Sequence, residues 1–235
     1  MFDVLTLTRW GGPVRTSNTR RVRRWSVAAI VGEFLFTVGW LVGDRVAGPA
    51  YRPLRDDLSD LGARTATHPW LYLLPELLAG LTSVGFALFA LRPALGRAGR
   101  LGSVAAILSA ASSLQDLTDP FFRLPCQAAD GCSTAQQTAG WSGQLHGTLG
   151  LLGLVLSVVS GVALWRAFAR LPEWRPLARP ALALSLLVVV AVPLIGASGT
   201  APVHGLVQRL LVVIAGVYGI WVAQRAYTAP TSVRT

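Results

Sequence analysis

An all-α, polytopic membrane bundle of six transmembrane helices, with both termini on the cytoplasmic side, is the fold class this sequence predicts. Three observations carry it. The 235 residues are 52% hydrophobic and only 14% charged, against roughly 25% charged for an ordinary soluble domain. Several apolar runs reach the ~20 residues that a helix needs to cross a hydrocarbon core about 30 Å thick. The basic residues, all arginine, fall in short segments between those runs, where flanking positive charge sets helix direction.

Taken in chain order, residues 1–24 are an arginine-rich leader, and its stretch "RTSNTRRVRR" is expected to be a disordered cytoplasmic arm. Six spans follow in a transmembrane domain over residues 25–226: 25–43, 69–91, 101–118, 141–165, 178–196 and 202–225. Residues 227–235 are a cytoplasmic tail. Pro69, Pro93, Pro120, Pro176, Pro180 and Pro202 fall near proposed ends, where a residue that cannot continue the hydrogen-bond ladder belongs. Pro75 and Pro193 fall inside spans and are expected to kink them, which packed neighbours tolerate in a membrane.

Counting arginines gives the orientation. With the N-terminus inside, fifteen of the 21 lie on the cytoplasmic side and six (Arg45, Arg52, Arg55, Arg64, Arg123 and Arg209) on the other. The acidic residues run the opposite way. Asp44, Asp56, Asp57, Asp60, Asp116, Asp119 and Asp130 fall at the outer side, a bias that topology does not require because carboxylates weigh little in orientation. A net charge of +10 would suit nucleic acid only if clustered on a soluble face, and no soluble domain is present to carry one. No cleavable signal peptide is expected, since the first apolar run is too long for one. The absence of lysine hints at a GC-rich bacterial source, and the expected location is the plasma membrane with lipid as partner. Cys126 and Cys132, in "PCQAADGCST" of an outer loop, suit a disulfide better than a metal, because two thiols do not close a zinc site.

The candidate chemistry gathers at the outer face. At about 1.5 Å of rise per residue, His146 lies about 7 Å inside its span, His204 about 3 Å and Glu76 about 10 Å. Asp116 and Asp119, three apart, share a helix face at the end of the third span. Ionisable groups at such depth are costly and usually face a bundle interior or wet cavity. All are expected to converge on one outward-facing pocket. "RPLRDDLSDLG" (52–62) lies over it, with Leu54, Leu58 and Leu61 spaced for a short helix on the membrane surface and its charges turned to the polar side. His68 reads as interfacial and outside the site. Glu76 is expected to cap carbonyls freed by Pro75 or to pair with Arg209, and Glu33 to pack or to be proton-linked.

"YRPLRDDLSDLG", with the aspartate of "LTDPFF" (Asp119) and the pairs His146–Gly147 and His204–Gly205, resembles a bacterial membrane family known as domain of unknown function 998. The resemblance covers nearly the whole chain apart from leader and tail. It implies a site built on Ser59, Asp60, Asp119, His146 and His204, and it assigns no reaction.

Two classes of function follow from the residue types. One is a metal-dependent membrane hydrolase acting on a lipid-like substrate, with Ser59, Asp60, Asp119, His146 and His204 catalytic and zinc held by His146, His204, Asp116 and Asp119. Arg55, Glu76 and Arg209 would bind the substrate. The other is a small-molecule or proton-coupled transporter or receptor without enzymatic activity. Haem held by His146 and His204 is a further alternative. A repeat of two three-helix halves finds no convincing match in the sequence, and Pro75 and Pro193 do not occupy corresponding positions.

Overall fold

The computed structural model describes residues 14–197 and 203–229. The first thirteen residues of the leader, the expected start of the sixth span at Pro202 and tail residues 230–235 lie outside the described residues. Among those described there is no β-strand. Five helices are long and apolar enough to cross a membrane: Asn18–Val46, Trp70–Ala94, Gly140–Ala169, Pro172–Pro193 and His204–Thr228.

Helix α1 (Val14–Val46) begins within the expected disordered arm, so residues 14–24 are helical rather than loose. Arginine is a good helix former, and tertiary contacts hold this turn in place. Val22 is buried, the Arg21 guanidinium lies 4.6 Å from the centre of the Phe89 ring, and Arg23 lies 5.2 Å from that of Tyr227. Helix α2 (Trp70–Phe86) runs on through a π-helical turn, Ala87–Leu91, and a last α turn, Arg92–Ala94. The π turn sits just before Pro93, which has no N–H to give the ladder.

The expected third span is two pieces, α3 (Arg100–Ser112) and α4 (Leu114–Thr118). Ser112 and Ser113 each donate a side-chain hydrogen bond to the Ser109 carbonyl, at 2.9 and 3.2 Å, and Ser113 leaves helical geometry at ψ 0°. Local hydroxyls that bond the backbone compete with the ladder in this way. At 13 residues, α3 alone is too short to cross a bilayer. After a four-residue turn, α5 (Thr134–Gln137), come α6 (Gly140–Ala169), α7 (Ala178–Ala197) and α8 (His204–Thr228). Pro75 and Pro193 lie inside α2 and α7, as the sequence places them.

Small residues let the helices approach, as packing in lipid requires when no hydrophobic force drives association. On α1, Gly32 faces Thr82 and Gly39 faces Pro75 and the Leu71 carbonyl of α2. Gly85 receives the Trp25 ring, and Gly161 of α6 receives Ser185 of α7. Ser109 of α3 and Ser160 of α6 share a 2.8 Å hydrogen bond. Outward faces stay apolar and bare: Phe34 is 63% exposed, Val190 59% and Val217 62%.

The two ends of the bundle differ. One end carries Arg20, Arg21, Arg23 and Arg24 of α1 together with Arg92, Arg97, Arg100, Arg166, Arg170, Arg175, Arg179 and Arg225. There Phe168 and Trp174 stack at 5.1 Å within a buried apolar cluster. At the other end, loops 47–69 and 119–139 interlock above Trp40, Tyr51, Leu58, Leu61 and Tyr72.

Candidate functional site

The segment 52–62 does not form the expected surface helix. It makes only a 3₁₀ turn, Leu58–Gly62, and buries acidic as well as apolar side chains. Leu58 and Leu61 are buried while Leu54 is exposed, and the carboxylates of Asp56 and Asp60 point inward, at 3% and 0% exposure. Buried carboxylates need donors, and the two outer loops supply them. Asp60 accepts from the Ala128 amide at 3.1 Å and the Gln137 amide group at 2.9 Å, while Gln127 donates to its carbonyl. Asp56 accepts from its own neighbours, the Arg52 amide at 2.6 Å and Arg55 at 2.7 Å. Gln208 of α8 accepts from the Leu58 amide at 2.6 Å.

Arg209 locks this cap to the membrane helices. Its Nε and one terminal nitrogen hold Asp44 of α1 in a two-point grip at 2.9 and 2.6 Å. It also donates to the Tyr51 hydroxyl, to the Asp56 carbonyl at 2.9 Å and to the Gly205 carbonyl at 3.1 Å. These five bonds use all five donors of a guanidinium. Arg209 therefore does not pair with Glu76, and it has no donor left for a substrate. Gly205 lies against the Pro53 and Asp56 carbonyls, so a side chain there would push the cap off α8. Arg55, the other basic residue expected to bind a ligand, is half exposed and paired with Asp56 at 2.7 Å, which holds its pKa above the usual arginine value.

The second loop locks onto the first. Arg123 donates to the Gly62 and Ala63 carbonyls at 2.8 and 2.7 Å, Thr65 donates to Asp130 at 2.8 Å, and Ser142 of α6 donates to the Arg123 carbonyl at 2.8 Å. Cys126 and Cys132 lie at disulfide distance in this loop, their Cα atoms 6.0 Å apart. Burial pushes the Asp60 carboxyl up to about 7, with Asp57 and Asp56 adding to it and the amide donors opposing. Burial and the neighbouring Arg64 lower the Arg123 pKa.

Beneath the cap lies a second set. Glu76 and His146 each sit six residues in from the start of their helices, about 9 Å along the axis. Glu76 accepts from the Tyr72 hydroxyl at 2.6 Å rather than capping carbonyls at Pro75. Asp119 interacts with Glu76 from one side and stands 3.3 Å from His146 Nδ1 on the other. Both acids are 3% exposed. Asp116 reaches the same place because Gly80, one turn beyond Glu76, leaves room for it: a Cβ at that glycine would lie 3.0 Å from that of Asp116. Glu33 of α1, packed against Gly216 of α8, lies within electrostatic range of Asp116.

The structure thus brings Glu76, Asp116, Asp119 and His146 together and leaves other expected members elsewhere. His204 pairs with Asp57 of the cap at 2.5 Å instead of joining His146. Among the described residues no group of three or more His, Cys, Asp or Glu side chains is arranged to hold a metal ion, so the two histidines make two separate His–Asp pairs. Ser59 is half-buried in the 3₁₀ turn, and among the described hydrogen bonds none joins it to either histidine. His68 is exposed, as expected of an interfacial residue. Sequence reasoning missed Asp44, Tyr51, Gln127 and Gln137, whose only signal was a polar side chain at an outer helix end or loop.

The chain belongs to a family described as "Protein of unknown function (DUF998)", whose model matches residues 30–225. The match includes the cap, both His–Asp pairs and all five membrane-length helices in whole or in large part. No curated protein and no solved structure matches the chain.

Proposed function

We propose that this member of the family is a six-span plasma-membrane protein with both termini in the cytoplasm, working as a proton-coupled transporter of a small molecule. The third span is α3 and α4 together, 19 residues with the break at Ser113, about 28 Å long. The arginine-rich end is the cytoplasmic one, and the cap with its cysteine pair, read as oxidised, faces outward.

One observation carries the transport reading. Glu76, Asp116 and Asp119 meet inside the bundle with His146, among the described residues, as the one basic side chain paired to them, at 3.3 Å from Asp119. Arg209, the partner the sequence offered for Glu76, is fully engaged above. Three carboxyl groups cannot all hold bare charge in a space of low dielectric. The balance comes from protons, and a cluster that must exchange protons to change its charge is what a proton-linked carrier needs. The hydrolase reading has less to rest on, because it requires Ser59 or a metal to meet both histidines.

Infrared difference spectra between two pH values test the reading. Wild-type protein in lipid should show a protonated-carboxyl band that shifts in D₂O and is lost in Glu76→Gln. Spectra identical for wild type and Glu76→Gln would count against a proton exchanged at this cluster.

A further inference from the structure

At the opposite end of the molecule, a cleft of about 340 Å³ opens between α1, α2 and α3. Its polar wall is Asn18, Arg21, Arg92 and Ser103, and Phe89 and Pro93 form an apolar wall. Every polar group there can donate a hydrogen bond, and no carboxylate lines the cleft. Two arginines of this end are occupied elsewhere: Arg97 pairs with Glu173 at 2.9 Å, and Arg225 donates to the Glu173 carbonyl at 2.5 Å. Arg21 and Arg92, by contrast, form no ion pair within the described protein. Arg21 instead lies over the Phe89 ring, which fixes its guanidinium at the mouth of the cleft.

The shape of the helix behind the cleft fits this use. The π turn Ala87–Leu91 places Phe89 on the cleft wall, and such turns recur at functional positions in helices. From Ser103 the surface of α3 continues along Val104 and Ile107, each 48% exposed. A ligand seated between the two arginines would therefore meet donors at one end and a bare apolar track at the other. A soluble anion would use only the first half of that arrangement.

We propose that this cleft binds the phosphodiester headgroup of an anionic phospholipid, with Arg21 and Arg92 gripping the phosphate, Asn18 and Ser103 donating to its oxygens, and an acyl chain lying along Val104 and Ile107. Basic pockets between helices at the arginine-rich side of a membrane protein suit this class of ligand. The proposal stands apart from the transport reading, because it uses none of the buried acidic cluster.

The full chain in neutral detergent provides the test, with phosphatidylglycerol, phosphatidylcholine and inorganic phosphate titrated in parallel. Phosphatidylglycerol should bind more tightly than phosphatidylcholine. The Arg21→Gln/Arg92→Gln variant should bind it roughly 30-fold more weakly, the loss expected when two arginines leave an anionic surface. Both side chains are exposed, and circular dichroism checks that the variant keeps its helices. Arg175→Gln/Arg179→Gln removes the same charge from the same end outside the cleft and should leave binding nearly unchanged. Equal weakening in the two variants would mean diffuse attraction and overturn the site. Equal binding of phosphatidylcholine, or of inorganic phosphate with no added gain from the lipid, would overturn it as well, and the wild-type comparison stands even if a variant misfolds.

Discussion

Arg209 is the residue on which the outer architecture turns. Removing one partner of a buried, fully bonded ion pair leaves the other stranded, at a cost of about 3–5 kcal/mol. Arg209→Gln is expected to destabilise the protein by that order, read as a large fall in thermal midpoint in detergent. Arg209→Lys should recover little, because an ammonium cannot reproduce the two-point grip on Asp44. Asp60 makes the cap pH-sensitive. Its carboxyl titrates near 7 in the fold against 3.8 ordinarily, so between those values the folded chain keeps a proton that the unfolded chain has released. Stability should therefore fall as pH rises through that window, by up to about 1.4 kcal/mol per pH unit. Asp60→Asn should flatten the slope relative to wild type, and an unchanged slope would show that Asp60 is not its source. The sequence names Asp60 and Arg209 as polar residues of the outer face but not their partners. Arg209 and Gly205 are distant in sequence from Asp44 and Tyr51, and the spacing of Leu54, Leu58 and Leu61 does not say whether the carboxylates of 52–62 face out or in.

At the scale of elements, the helices were more legible than their interruptions. The long apolar runs and their proline boundaries locate α2, α6, α7 and α8 to within a few residues of the expected spans, because lipid imposes length and apolarity on a helix directly. The early start of α1 was missed because arginines that look like a loose arm are held by rings on other helices. The break at Ser113 was missed because serine hydroxyls satisfy themselves on a carbonyl one turn back, which no hydropathy pattern records. Close approach is testable with a matched pair of substitutions. Gly85→Ala would drive a methyl into the Trp25 ring and should cost about 1–3 kcal/mol through overpacking. Gly219→Ala, in the middle of α8 with nothing within 4 Å of the added methyl, should gain about 0.5–1 kcal/mol by stiffening the helix. Thermal unfolding of the two variants should move in opposite directions. Movement in the same direction would mean that Gly85 is not a contact of the kind described.

The whole molecule divides its charge by end. Arginines gather at one end, where two of them frame a cleft, and carboxylates gather at the other, where a cap roofs an acidic cluster. Composition announced the two-ended distribution but not its consequence. Only folding shows that Asp119, just past α4, and Glu76 of α2 meet beneath the cap, while His204 pairs with Asp57. The measurement that bears most directly on this account is proton movement through the protein reconstituted into vesicles. A pH-sensitive dye is trapped inside, an inside-negative potential is imposed, and small polar solutes are added outside in turn. Wild-type vesicles should acidify with at least one solute, and Glu76→Gln and His146→Ala should slow the rate by roughly a hundredfold, the order lost when a positioned proton donor is removed. Acidification no faster than in protein-free vesicles for every solute, or equal rates in wild type and Glu76→Gln, would contradict the account.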